Sequence, residues 1–153
     1  RYAGIMYALS EANVPVSNVR QIDYHTVFGS PVPSTSSYKS YEELFFPVDY
    51  TAVIGFNDLQ SYSAMEILKE RGYRIPEDIS LISFDHLRKT HTYLPPLTSI
   101  ADNTDKSIAD TAVSILLDKI KNSDSKFTGA VLPVTIYDGH TTGPVNKAFE
   151  TSF

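Results

Sequence analysis

Residues 71–100 read RGYRIPEDISLISFDHLRKTHTYLPPLTSI, and their order fixes the kind of fold. Gly72 is placed to end a helix, because glycine takes the left-handed conformation without a Cβ penalty. Pro76-Glu77-Asp78 makes a turn. Ile79 to Phe84 is a short apolar run of the type that forms a buried strand. Asp85 then stands at the carboxyl end of that strand, and Pro95-Pro96 breaks the chain before a second extended stretch begins at Leu97.

Upstream, AVIGF at 52–56 follows polar residues and predicts another strand buried on both faces. Asn57 and Asp58 follow it and open a helix to Arg71, with Ala64, Met65 and Leu68 on one face. At the start, Ile5, Ala8, Leu9 and Ala12 have helical spacing, and Pro15 bars continuation. A short strand is expected at 19–24, a Ser/Pro-rich loop at 28–37 and a helix at 38–46. Downstream, Thr104 is placed to cap a helix from Asp105 to about Lys121. Its apolar face would carry Ile108, Ala109, Ala112, Val113, Leu116, Leu117 and Ile120. A last strand is expected at 134–137. Strands alternating with helices predict an α/β fold with a parallel sheet flanked by helices.

The bulk composition narrows the function. The chain has 153 residues, of which 42% are hydrophobic and 20% charged, ordinary for a globular protein with one core. No apolar run approaches the roughly 20 residues that span a bilayer, so no membrane partner is expected. Cysteine is absent, which removes disulfides and thiolate chemistry. Net charge is −5, from 13 Lys+Arg against 18 Asp+Glu. The longest basic run is Arg88-Lys89, so this portion lacks the basic face that holds DNA phosphates.

No catalytic or metal constellation emerges, and no cofactor is implied. There is no G-x-S-x-G elbow, phosphate-cradling glycine loop or H-E-x-x-H. His86 and His91 are five apart, whereas helix-borne metal ligands share a face at three or four. In open α/β sheets ligands bind beyond the carboxyl ends of the strands, and Asn57 and Asp85 stand there. An amide and a carboxylate suit sugar hydroxyls, although both residues can equally be helix or turn caps. Tyr24, at a strand end, can stack on a sugar ring or pack in the core.

These segments together resemble the lac-repressor/galactose-repressor family of bacterial transcription regulators. The matching motifs are the R-G helix end, P-x-D-I-S-h-x-x-F-D and P-P-L-T-[ST]-I within residues 71–100, with Arg1-Tyr2-Ala3-Gly4 and TAVIGFND at 51–58 ahead of them. The resemblance runs from Arg1 to about Pro144. It implies a type I periplasmic-binding-protein-like effector domain, mostly its C-terminal subdomain. Residues 1–97 would form that subdomain. Residues 98–125 would cross to an otherwise absent N-terminal subdomain, 126–145 would return, and 146–153 would be a tail.

By the same resemblance Arg1, Asn57 and Asp85 would hold an effector, with Tyr24 near the stacking aromatic. Tyr62, Met65, Leu68 and Tyr93 would face a second subunit. The implied protein is a cytoplasmic, non-enzymatic homodimer that senses a small molecule, a sugar by the polarity of the set. It would reach operator DNA through a helix-turn-helix head outside this chain. The alternative is a sugar-binding protein of a transport system. The sequence departs from the family pattern at Ser83, where glycine is usual, at Ser61 and Ser63, which replace alanine and glycine, and at Gly139, where arginine is common. The 28–37 loop is also longer than usual.

Overall fold

The structure is a computed structural model that describes residues 1–22, 43–87, 92, 94–102, 107–122 and 129–146. They divide into two units, Arg1–Asp49 and Tyr50–Phe153. The boundary falls before the first strand, because a single sheet gathers residues from 52 to 137.

The first unit contains α1 (Tyr2–Glu11) and a 3-10 turn at Val16–Asn18. Helix α1 ends where Asn13 turns to a φ of 56° and Val14 N–H reaches back to the Leu9 carbonyl. Residues 19–22, the described part of the strand expected at 19–24, are not a strand. The Arg20 guanidinium gathers the far end of the unit, donating to the Phe45 and Pro47 carbonyls and pairing with Asp49 at 3.3 Å. Most of the helix expected at 38–46, and the whole 28–37 loop, lie outside the described residues.

The second unit is built on four strands in the order β1 (Ala52–Ile54), β2 (Ser80–Phe84), β3 (Thr98–Asp102) and β4 (Val134–Tyr137). The first three are parallel and β4 is antiparallel to β3. Between β1 and β2 runs α2 (Asp58–Glu70). Its Asn57 cap accepts from the Gln60 N–H at 2.9 Å, and Gly72, at a φ of 87°, follows its last turn. Beyond it, three hydrogen bonds from Arg74 tie the 74–78 turn to Asp78, whose carboxyl the guanidinium holds down at about 2.

Helix α2 packs on one face of the sheet. Ile67, Leu68, Ile79 and Leu81 form the densest part of the core, each 1% exposed or less. Side chains alternate across a strand, so Val53, Leu81 and Ser83 face α2, while Ile54, Ile82 and Phe84 face away. That second face is open in part: Ile54 is 43% exposed and Ile136 65%. The two-sided burial expected of residues 52–56 is thus not found. Among the described residues strand β1 lies at the edge of the sheet and is covered on one side.

Strand β3 pairs with β2 on one side and β4 on the other. Thr98–Asp102 is therefore part of this sheet. Helix α3 (Ile108–Lys121) follows. It begins three residues later than expected and its cap is Ser107, because Ser107 and Asp110 close a reciprocal pair. Asp110 N–H donates to Ser107 Oγ at 3.0 Å and the hydroxyl donates to the Asp110 carboxylate at 2.7 Å. The Ser107 hydroxyl thereby satisfies one of the orphan donors of the first turn. Ile108, Leu116, Leu117 and Ile120 along α3 are all exposed.

The segment after β4 straps β2 to β3. Thr141 Oγ1 donates to the Leu81 carbonyl at 2.6 Å and accepts from Thr98 N–H at 2.9 Å, while Leu81 N–H reaches the Thr141 carbonyl. Gly139 lies so close to Leu97 that a Cβ there would overlap the Leu97 backbone. That accounts for glycine at a position where the family commonly carries arginine.

Candidate functional site

The parallel register sets Asn57 and Asp85 at one edge of the sheet. Ile54 pairs with Ile82, and Gly55 N–H continues the ladder to the Ile82 carbonyl, so β1 and β2 leave the sheet side by side at their carboxyl ends. Asn57 follows β1 as the α2 cap. The cap uses its Oδ1, and the amide N–H groups remain the donors that a ligand can use. The capping and binding readings of Asn57 are therefore compatible.

Asp85 follows β2 directly. Its N–H donates to the Ile100 carbonyl at 2.9 Å, which extends the β2–β3 ladder by one residue, and its side chain is exposed. The chain then turns sharply: Asp85 has a φ of 95° and His86 a φ of 49°. Two successive left-handed residues without glycine are strained, by order 1–3 kcal/mol each, and persist only when their surroundings hold them.

Beneath the turn lies a buried polar cluster that sequence reasoning missed. Asp58, 1% exposed, accepts from the Ser99 hydroxyl at 2.7 Å and from Leu87 N–H at 2.6 Å. Ser99 Oγ in turn accepts from His86 N–H at 2.9 Å. The His86 ring stacks on Tyr137 of β4, centroids 3.9 Å apart and planes at 10°. The Asn-Asp pair that starts α2 is the only sequence signal for this cluster, since Ser99 lies 41 residues from Asp58.

A second buried pair explains two departures from the family pattern. The Ser61 hydroxyl is hydrogen-bonded to the Ser83 hydroxyl at 2.7 Å, and both side chains are fully enclosed. Replacing Ser61 removes this partner from the buried Ser83 hydroxyl, at a cost of about 1–3 kcal/mol, whereas removing both can be nearly neutral; in Ser83→Ala the Ser61 hydroxyl keeps the Asn57 carbonyl, which it reaches at 2.9 Å. Urea unfolding of Ser61→Ala, Ser83→Ala and the double variant should therefore give a coupling of about 1 kcal/mol. Additive losses would mean that the two hydroxyls act independently.

The other expected site residues fare differently. Arg1 is exposed at the start of α1, in the first unit. Tyr24 and Tyr93 lie outside the described residues. Tyr62, Met65 and Leu68 are 9%, 5% and 0% exposed within the single chain. They pack α2 onto the sheet, and the Tyr62 hydroxyl donates to the Pro95 carbonyl at 2.9 Å. The exposed positions of α2 are Leu59, Glu66, Lys69 and Glu70. Among the described residues no group of three His, Asp or Glu could hold a metal ion, and no helix is long and apolar enough to cross a membrane. A shallow concavity of about 510 Å³ between Lys69, Gly72, Arg74 and Glu77 lies at the opposite end of β2 from Asp85.

Residues 1–142 match the family described as the periplasmic binding protein-like domain. Over 123 residues the chain is 37% identical to the HTH-type transcriptional repressor PurR of Aliivibrio salmonicida, covering 80% of this chain and 35% of that protein. The repressor of the same name from Mannheimia succiniciproducens is 31% identical over 127 residues, 82% of this chain and 36% of its own length. The chain spans about a third of these curated relatives. Among solved structures, a LacI family transcriptional regulator from Enterococcus faecium with bound ribose superposes with a TM-score of 0.67 at 26% identity. It covers 94% of this chain and 50% of that one.

Proposed function

This chain belongs to the periplasmic binding protein-like family, in the form that lac-repressor/galactose-repressor regulators use as their effector-binding domain, and from that premise we propose that it senses a small sugar for a DNA-binding transcriptional repressor. The observation that carries the reading is the pairing of Asn57 and Asp85 at the carboxyl ends of two adjacent parallel strands. An exposed carboxylate accepts hydrogen bonds from hydroxyls and an amide N–H donates to them. Vicinal hydroxyls on one small ring offer both functions. The ribose bound by the Enterococcus faecium regulator is a compound of this class.

In this reading Arg1 adds a cationic donor and Tyr24 a stacking surface, and neither the sheet edge nor the buried cluster performs chemistry on the ligand. The complete protein would be a cytoplasmic homodimer that reaches operator DNA through a helix-turn-helix head outside this chain. The ligand would act by binding one conformation of the protein more tightly than another, which is the energetic requirement for any such switch. The relatives described above are regulators, and a transport role gains no support from them.

Calorimetric titration of the intact protein with ribose, galactose, cellobiose and adenine tests the proposal. Saturable binding of one of the sugars is expected. Binding of adenine alone would keep the site but change the effector class to a purine, and no binding of any of the four would count against a small-molecule sensor of either kind.

A further inference from the structure

The strain in the 85–87 turn needs a cause, and the structure supplies one. Asp85 and His86 are consecutive residues with positive φ, neither of them glycine. What holds them is a chain of three hydrogen bonds from the protein interior. Leu87 N–H donates to Asp58 Oδ2 at 2.6 Å, His86 N–H donates to Ser99 Oγ at 2.9 Å, and the Ser99 hydroxyl donates to Asp58 Oδ1 at 2.7 Å. The hydroxyl proton of Ser99 is committed to Asp58, so its lone pair faces the His86 N–H. Asp58 and Ser99 are 1% and 0% exposed, which gives these bonds a low-dielectric setting where they are stronger than in water. Asp58 itself is fixed as the first residue of α2, where the helix dipole favours a carboxylate. Ser99 is fixed by the pairing of β3 with β2 and β4.

We propose that Asp58 and Ser99 are positioning residues that lock the 85–87 turn in its left-handed form, and so hold the Asp85 side chain ready for a ligand. They do not touch the ligand; they act through the backbone amides of His86 and Leu87. The consequence for ligand binding rests on the sugar-sensing reading above, whereas the lock itself does not. A carboxylate that is held in place before binding costs less ordering on association than one on a mobile turn.

Amide hydrogen exchange on the intact protein, followed by NMR without ligand, separates the two claims. In Ser99→Ala, His86 N–H loses its acceptor and Asp58 loses a donor. In Asp58→Asn, which keeps the size of the side chain, Leu87 N–H and the Ser99 hydroxyl can no longer both donate to it. Either variant should speed exchange at His86 and Leu87 by about tenfold or more, the scale of one lost buried hydrogen bond. Leu81 N–H, bonded to Thr141 in the same sheet, should change by less than about twofold, since independent openings are local. Equal acceleration at Leu81 would reduce the pair to general stabilisers and overturn the proposal, and so would unchanged exchange at both turn amides. Titration with ribose supplies the second readout. A dissociation constant raised about tenfold, with a small change in melting temperature, supports positioning. Ribose affinity equal to wild type despite a loosened turn would overturn the link to the ligand. Failure of the wild-type protein to bind ribose would count against ribose as the effector, and the exchange result would still decide the lock.

Discussion

Asp85→Ala is expected to weaken sugar binding by roughly 2–3 kcal/mol, about 30- to 150-fold in dissociation constant, the cost of losing a charged hydrogen-bond partner. The side chain is exposed at the end of β2, so its removal leaves no cavity and the fold should persist. The 85–87 turn should also survive, because its three interior hydrogen bonds involve the backbone of 86 and 87, Asp58 and Ser99, and none of them uses the Asp85 carboxylate. The loss should therefore fall on affinity in a protein that still folds. Calorimetry on the intact protein, with the sugar that binds the wild type most tightly, reads both the affinity and its enthalpy. Undiminished affinity in this variant would remove Asp85 from the site.

Gly139→Ala should lower stability by roughly 2–3 kcal/mol, the upper range for forcing atoms into a packed interior. A Cβ at this position meets the backbone of Leu97 and not a movable side-chain end. The backbone there is doubly anchored: Gly139 N–H donates to Thr98 Oγ1 at 3.1 Å, and Thr98 N–H donates to Thr141 Oγ1 at 2.9 Å. Relief would have to come from moving the strap that ties β2 to β3. Gly4→Ala is the matched control. Its Cβ meets nothing within 4 Å on the first turns of α1, so it should be neutral or add up to about 1 kcal/mol through helix propensity. Urea unfolding of the two variants side by side makes the comparison. Equal, small effects would mean that the strap at Gly139 yields easily.

What was legible in the sequence was local. The apolar run at 79–84 and the proline turn before it predict β2, and the structure sets that strand at Ser80–Phe84. Asn57 before a periodic segment predicts a capped helix, and α2 has it. The assumption that the strands ahead of Asn57 and Asp85 are parallel neighbours holds.

What was not legible depends on pairing at long range. Nothing near Ser99 in the sequence announces a partner in Asp58, and nothing near Ser83 announces Ser61. Polar residues read one at a time look like family departures or surface groups. Only the register of β2 against β3, with α2 laid over both, turns them into buried hydrogen-bonded pairs. Tyr62, Met65 and Leu68 show the same limit from the apolar side. An amphipathic stripe has the same spacing whether it meets its own sheet or a second subunit, and here it meets the sheet. The cap of α3 was misplaced for a related reason. Thr104 and Ser107 are both competent caps by residue type, and the choice fell to Ser107 because Asp110 stands three residues on and reciprocates.

The central claim is that the carboxyl edge of this sheet receives a small polyhydroxyl effector. Backbone amide chemical shifts of the intact protein, recorded with and without saturating sugar, test it most directly. The account predicts the largest changes at Asn57 and at residues 85–87, with the amides at the opposite end of β2, around Arg74 and Asp78, unmoved. Sugar binding that shifts other residues and leaves Asn57 and the 85–87 turn silent would contradict it.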